Sequence, residues 1–508
     1  MKTPVPPQPA NDDESDDELE LEVGEEGGDV AGILAQRLEE LRDARWLDPV
    51  VETALARMTG IRPTVLDCRI EYCKIKPNRD INVAMLVRTT GAAGGEPRLQ
   101  RLSCTLFPSA EACRLKYAED DGRNALHEST RRRMEAAGFR ESVVVLDEPA
   151  MIVRAFPVDP ALPGLARATD VAEMQALFAR RMEGADAEPR VRCEVLHYKP
   201  RRSCAIHYVI EHGGTNGHGA RSAPRRVYGK LSRDDRGLRY HRNLSAAFEA
   251  SEASAGLWRA ARPVEYIAPW RLLLQEAVPG RDFRVVFGEL TPDDMSPAQR
   301  TRVTKLLTDI ARAVRALQHA PIVEGSLMTF QHLFASQERN LHYMLGLQPR
   351  LAAELAAVRA ETARLEPRTR ANPLVLSHGD FAHGNVLIET IPGREDKVGI
   401  IDFDKAGAAE PAYDVAYFLT HMWSFGIRHP KRMPHVASLS QHFREAYLAL
   451  APEVSSERLA LYEALDFSAY VLRNFRKQSH QGAWLAWADA QVAAARERLG
   501  VAAGATGA

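Results

Sequence analysis

Cysteine is scarce: six in 508 residues, at 68, 73, 104, 113, 193 and 204, with none beyond. No CxxC pair occurs, and Cys68 with Cys73 is a poor zinc signal on its own. Reduced, mostly buried thiols in a cytoplasmic protein are therefore expected rather than a disulfide scaffold. No apolar run reaches the roughly 18–20 residues that a spanning helix needs, so no membrane segment is expected. The first residues lack a basic start followed by an apolar stretch, which argues against a secretory signal. A large charge excess is also missing, since the net charge is −2. That figure hides a split. Residues 1–30 hold 11 acidic and one basic residue, and the remainder holds 65 basic against 57 acidic. The body is too weakly basic to argue for nucleic acid as a partner.

What is present is ordinary for a folded soluble chain: 45% hydrophobic and 26% charged residues. The length suits two to four domains at roughly 100–200 residues each. Residues 1–30, rich in Pro, Asp and Glu, are expected to be a disordered acidic tail. A helix is expected over 31–58, with Ile33, Leu34, Leu38 and Leu41 on its apolar side. From about 65 to 160 the pattern is β-rich, as in IEYCKIK, NVAMLVRT, LSCTLF and ESVVVLDE. One helix is expected at 168–186. Strands then resume in VRCEVLHYK, SCAIHYVIEH, RRVYGKLS and WRLLLQEAV, with a flexible loop at 213–224. Beyond about 285 the chain turns helical, with segments expected at 296–320, 336–366, 436–450, 456–479 and 483–499. Residues 373–404 form an island of short strands, and the last residues, 501–508, are expected to fray.

The two strand regions resemble each other. Residues 70–87 align with 193–210 at an offset of 123, with Glu71/Glu194, Lys76/Lys199, Pro77/Pro200 and Arg79/Arg202 identical. A duplicated small β-rich lobe is one explanation, and chance likeness of two hairpins is the other.

The chemistry concentrates in HGDFAHGN followed by IIDFD. Asp380 and Asn385 share a polar loop, and Asp402 ends the strand VGII 17 residues after Asn385. One carboxylate, Asp380, can orient a hydroxyl and accept its proton. Asn385 and Asp402 can supply oxygens to Mg²⁺, which keeps several waters and needs few protein ligands when phosphates bind it too. These parts suit phosphoryl transfer.

HGD-x4-N, then IDFD, then Pro-Ala-Tyr-Asp at 411–414, resembles the aminoglycoside phosphotransferase and choline kinase-like family. The likeness spans about residues 190–480 and is strongest at 376–418. It implies an α+β, protein-kinase-like two-lobed fold with a β-rich N-lobe and a mainly helical C-lobe, here preceded by a possible degenerate copy of the N-lobe. The implied division is a cap at 31–165, an ATP-binding N-lobe at 166–285 and a C-lobe at 286–500. The implied cofactors are ATP and Mg²⁺, and the implied partner is a small-molecule hydroxyl acceptor. A catalytically silent nucleotide-binding scaffold is the alternative.

The resemblance also implies roles. Asp380 is the catalytic base, Asn385 and Asp402 are metal ligands, and His378, Asp404 and Asp414 support the loop. Lys230, in the apolar strand VYGKLS, is expected on the nucleotide phosphates, with Glu249 or else Glu252 as its acidic partner. The phosphate-covering turn is expected at 199–203, where Arg201, Arg202 or Ser203 can contact phosphate, or else as an exposed basic turn. That turn has no glycine, which departs from the family pattern and removes the usual means of close backbone approach. Glu276 and Val278 fall where the family's hinge meets adenine. His383 stands where many relatives have proline, as a substrate contact or a solvated loop residue. Asp466, Tyr470, Arg473 and Asn474 share one helix face, either lining an acceptor pocket or forming ordinary surface.

Overall fold

The computed structural model describes residues 30–76, 79–90, 96–121, 128–181, 189–211, 224–323, 325–391, 393–478 and 484–504. The expected acidic tail and nearly all of the 213–224 loop lie outside them. The chain is α+β, with antiparallel sheets and many helices. It divides into two compact units. One holds the described part of Leu19–Leu238 together with Val264–Glu276, and the other holds Arg239–Pro263 and the described residues from Ala277 onward.

The first unit opens with helices α1 (Val30–Glu40) and α2 (Ala44–Thr59). The single helix expected over 31–58 is broken because Asp43 caps a new start, accepting from the Arg45 N–H. Next come strands β1 (Thr64–Lys76), β2 (Asp80–Thr90) and β3 (Arg98–Leu106), helices α3 (Ala110–Asp121) and α4 (Glu128–Ala136), and strands β4 (Val143–Leu146) and β5 (Met151–Ala155). Alternation along β2 sends Ile81, Val83, Met85 and Val87 into a core shared with Leu47, Val51, Leu55 and Met58 of α2. Helices α5 (Leu165–Ala168) and α6 (Val171–Arg181) lead to β6 (Arg190–Lys199), β7 (Ser203–Glu211) and β8 (Arg225–Ser232). Helix α7 (Arg236–Ala253) and β9 (Trp258–Arg259) follow, in the second unit from Arg239 on, before β10 (Pro263–Ile267) and β11 (Leu272–Glu276) complete the second sheet of the first unit.

The two five-stranded sheets have one strand order. The first runs β1-β2-β3-β5-β4, and the second, read from its β6 edge, runs β6-β7-β8-β11-β10. Register matches as well. Thr105 lies opposite Asn82 and Ile152 in the first sheet, as Lys230 lies opposite Ala205 and Leu273 in the second. Asn82 and Ala205 are 123 residues apart, the offset of the sequence likeness. Thr105 therefore holds the station of Lys230.

The second unit adds β12 (Arg281–Asp282), α8 (Phe283–Leu290), α9 (Pro297–Gln318), β13 (Ser326–Met328), α10 (Phe330–Leu347) and α11 (Pro349–Leu365). The helix expected over 336–366 is thus two, because Pro349 cannot continue α10 but suits the first turn of α11. Strands β14 (Val375–Ser377), β15 (Val386–Glu389), β16 (Lys397–Ile400) and β17 (Gly407–Ala409) carry the island, and helices α12 (Ala412–Arg428), α13 (Val436–Leu450), α14 (Ser456–Gln478) and α15 (Trp484–Ala502) close the unit. Sheet β12-β15-β16-β9 and sheet β13-β17-β14 flank the polar loop 378–385. Phe283, Phe287, Phe381, Phe418 and Phe443 fill the core around it. Among the described residues no helix is long and apolar enough to cross a membrane.

Candidate active site

Backbone hydrogen bonds set the loop between β14 and β15. The carboxylate of Asp414, in the first turn of α12, accepts the N–H groups of His378 at 2.7 Å and Gly379 at 3.0 Å. Gly379 has φ +79°, and a Cβ there would stand 2.3 Å from the Lys405 carbonyl, so only glycine fits. His378 is fully buried. Its Nδ1 accepts from the Asp380 N–H at 3.2 Å, so the proton sits on Nε2, which donates to the Ile401 carbonyl at 2.9 Å. Burial lowers its pKa, in keeping with a neutral ring. His378 and Asp414 thus hold the start of the loop, at residues 378–380.

Register brings the metal candidates to one edge. Val386 pairs with Ile400, and the Ile401 N–H donates to the Asn385 carbonyl at 3.0 Å. Asp402 is the next residue, held at φ +71°, ψ +61°, a strained region for a residue with a side chain. Such strain points to a site where the carboxylate's direction matters. Asn385 donates through Nδ2 to the Asp380 carbonyl at 2.8 Å, while its Oδ1 is buried with no hydrogen-bond partner. Asp380 is 2% exposed, and its Oδ1 is likewise buried without a partner. Orphaned buried acceptors are costly, about 1–3 kcal/mol each, and their presence marks a place for a ligand.

Among the described residues no group of three or more His, Cys, Asp or Glu side chains could hold a metal unaided. The donor set does fit Mg²⁺ on phosphates. It offers the Asn385 amide oxygen and the Asp402 carboxylate, hard oxygens of the sort that cation takes, with the remaining positions left to water and phosphate. Asp404 is half-buried in the turn Phe403–Lys405.

Several residues here were not legible in the sequence. Lys405 places Nζ 3.9 Å from Asp380 Oδ2. The Tyr417 hydroxyl also favours the charged form of this carboxylate. Burial raises the Asp380 pKa, and Lys405 and Tyr417 oppose that rise. Asn243 of α7 donates to the carbonyls of Phe403 at 3.4 Å and Ala406 at 3.2 Å, pinning the turn after Asp402. The only sequence signal for Lys405 was its place directly after IDFD.

Around the loop lies a buried polar cluster. His383 is buried against Phe425 and His421, which overturns its reading as a solvated loop residue. Asp466 and Tyr470 are buried too, so this face of α14 is not ordinary surface. Asp466 pairs with Arg473 at 3.2 Å, and burial pushes its carboxyl up to about 6.

Lys230, Arg202, Ser203 and Glu276 belong to the first unit, where Lys230 sits half-buried in β8 and Glu276 pairs with Arg225 at 2.5 Å. Val278, in the second unit, packs near Gly399, where an added Cβ would come within 2.5 Å of it. Glu249 and Glu252 are exposed on α7.

Residues 231–462 match the model of the phosphotransferase enzyme family, APH. Over these residues the chain is similar to that family. The phosphotransferase-like segment contains Asp380, Asn385, Asp402 and Asp414. No curated protein matches the chain. Solved structures do. A choline/ethanolamine kinase family protein from Mesorhizobium loti is 14% identical, with 65% of this chain and 95% of that one covered and a TM-score of 0.39. The GDP and kanamycin complex of APH(2")-IIia is 16% identical, covering 64% and 97%, with a TM-score of 0.40. Choline kinase LicA from Streptococcus pneumoniae is 13% identical, covering 65% and 99%, with a TM-score of 0.40. At such scores the weight rests on the family match and on the loop geometry.

Proposed function

We propose that this chain is an ATP- and Mg²⁺-dependent phosphotransferase that moves the γ-phosphate of ATP onto a hydroxyl of a small molecule. The observation that carries the reading is the pair of buried, partnerless acceptors, Asp380 Oδ1 and Asn385 Oδ1, on a loop fixed by Asp414 and His378. Asp380 Oδ2 is held by Lys405, which leaves Oδ1 to accept from an acceptor hydroxyl. The hydroxyl oxygen of the acceptor attacks the γ-phosphorus, the bond from phosphorus to the β,γ-bridging oxygen breaks, ADP leaves, and the hydroxyl proton passes to Asp380. Asn385 and Asp402 would hold Mg²⁺, which neutralises phosphate charge when bound. Lys230 would meet the phosphates, with Arg202 and Ser203 in the covering turn and the backbone near Glu276 and Val278 at the adenine.

Positioning and charge neutralisation carry most of such a reaction. The neutral state of His378 suits a bracing role, since a buried imidazolium would add charge where the loop needs none. The test is ATP turnover with hydroxylated metabolites and aminoglycosides, read as phosphorylated product. Loss of product in Asp380→Ala with retained Mg·ATP binding supports the reading, and unchanged turnover in that variant sinks it.

A further inference from the structure

The turn between β6 and β7 solves its missing glycine in an unexpected way. Arg201 adopts φ +63°, the left-handed conformation that glycine takes without penalty. For a residue with a side chain this costs about 1–2 kcal/mol, and something must hold it there. Two buried carboxylates do. The Arg201 N–H donates to Asp159 Oδ2 at 2.7 Å, and the Tyr198 hydroxyl donates to the same oxygen at 2.9 Å. The Arg201 guanidinium grips both oxygens of Asp120, with Nη2 3.3 Å from Oδ1 and Nη1 on Oδ2. Asp120 has no exposed surface. It also takes Arg154 of β5 at 3.0 Å, with Lys116 at 3.8 Å.

Asp120 ends α3 and Arg154 lies in the first sheet, so the turn of the second sheet is anchored by the first. The register shows which face is used. Thr105, Ser103 and Arg154 occupy the stations that Lys230, Tyr228 and Gln275 occupy in the second sheet. On the first sheet Arg154, opposite Ser103, joins the Asp120–Arg201 pair. The face that carries Lys230 in one sheet thus serves in the other as a socket for the neighbouring turn.

We infer that Asp120 and Asp159 are positioning residues for the nucleotide-covering turn, and that residues 64–159 are required for Mg·ATP binding through the Arg201 lock. The inference rests on the proposed phosphotransferase reading. A charge-assisted, two-point grip on a buried carboxylate is strong and directional, which suits holding a backbone in a strained state. Arg201, one of the expected phosphate contacts, has its guanidinium engaged by Asp120 instead, and the other two, Arg202 and Ser203, follow it directly. The Arg202 N–H closes the turn onto Lys199, and the Arg202 carbonyl accepts from the Arg233 N–H. Release of Arg201 therefore frees the backbone on which they sit.

The experiment is calorimetric titration of the full chain with Mg·ATP. Asp120→Asn leaves Arg154 and Arg201 on a neutral partner and could unfold the chain, so Arg201→Gly is the decisive variant. Glycine takes the same φ without strain, and Asp120 keeps Arg154. The expected result is a melting temperature close to wild type with Mg·ATP bound about tenfold more weakly, as for other displaced binding groups. Asp159→Asn, which keeps an acceptor for both donors, should bind within about threefold of wild type, less than one hydrogen bond's worth. Wild-type affinity in Arg201→Gly, with Lys230→Ala weakened, would overturn the inference and leave the phosphotransferase reading standing. A wild-type chain that binds no Mg·ATP would overturn the reading itself.

Discussion

The two β-sheets of the first unit share strand order, register and a helix after the third strand, yet they carry different residues at one station. In the second sheet that station holds Lys230. In the first it holds Thr105, whose hydroxyl donates to Asn82 at 3.2 Å, while Asn82 donates in turn to Asp80. One sheet thus has a cation at the middle of a strand, and the other has a neutral hydroxyl in a polar chain at the same place. Two sheets can share strand order and register without sharing chemistry, because the chemistry depends on a single side chain at one register position.

The largest expected effect lies outside both sheets and sets the scale. Asp380→Ala should cut turnover about 10³-fold, the span of general-base contributions, with Mg·ATP binding little changed. Lys230→Ala against Thr105→Ala tests the comparison itself. The first should lower turnover by roughly 10²-fold, as for loss of a phosphate-pairing charge. The second should leave turnover unchanged and cost about 1 kcal/mol in denaturant unfolding, because Asn82 Oδ1 loses its donor. Equal losses of turnover in the two variants would break the comparison.

Smaller effects sharpen it. Asn385→Ala should weaken Mg·ATP binding about tenfold, by loss of one charge-linked contact, and should raise the Mg²⁺ concentration needed for half-saturation. Asp466 gives the subtlest signal. Its folded pKa of about 6 lies above the ordinary carboxylate value, so the folded state favours the protonated form. That preference stabilises the fold at pH below the unfolded value near 4 and is lost as pH rises through about 6. Wild type should therefore lose up to about 3 kcal/mol between pH 4 and 7 that Asp466→Asn does not lose. Parallel stability curves for the two would contradict the assigned shift.

Much of this was legible in the chain because it lies in short, local patterns. HGDFAHGN and IIDFD name the loop and the turn, and the structure places Asn385 beside Ile401 through one backbone bond. The likeness at an offset of 123 anticipated the shared strand order. What stayed hidden depends on contacts across long separations. Asp120 meets Arg201 from 81 residues away, and Asn243 meets Phe403 from 160. Neither residue stands in a motif, and a buried aspartate at the end of a helix has no periodic signature. Helix α12, buried along most of its length, was missed as a helix. The left-handed Arg201 was equally hidden, since nothing local forces an arginine to take a conformation that glycine normally supplies.

The central claim is that the loop at 378–385 and Asp402 transfer phosphate to a small hydroxyl compound. Phosphorus NMR of the wild-type chain with Mg·ATP and a panel of hydroxylated metabolites and aminoglycosides tests it most directly. The account predicts a phosphate monoester on at least one acceptor, with stoichiometric ADP, and none of it in Asp380→Ala. Tight Mg·ATP binding with no ester formed on any acceptor would contradict it and leave a nucleotide-binding scaffold instead.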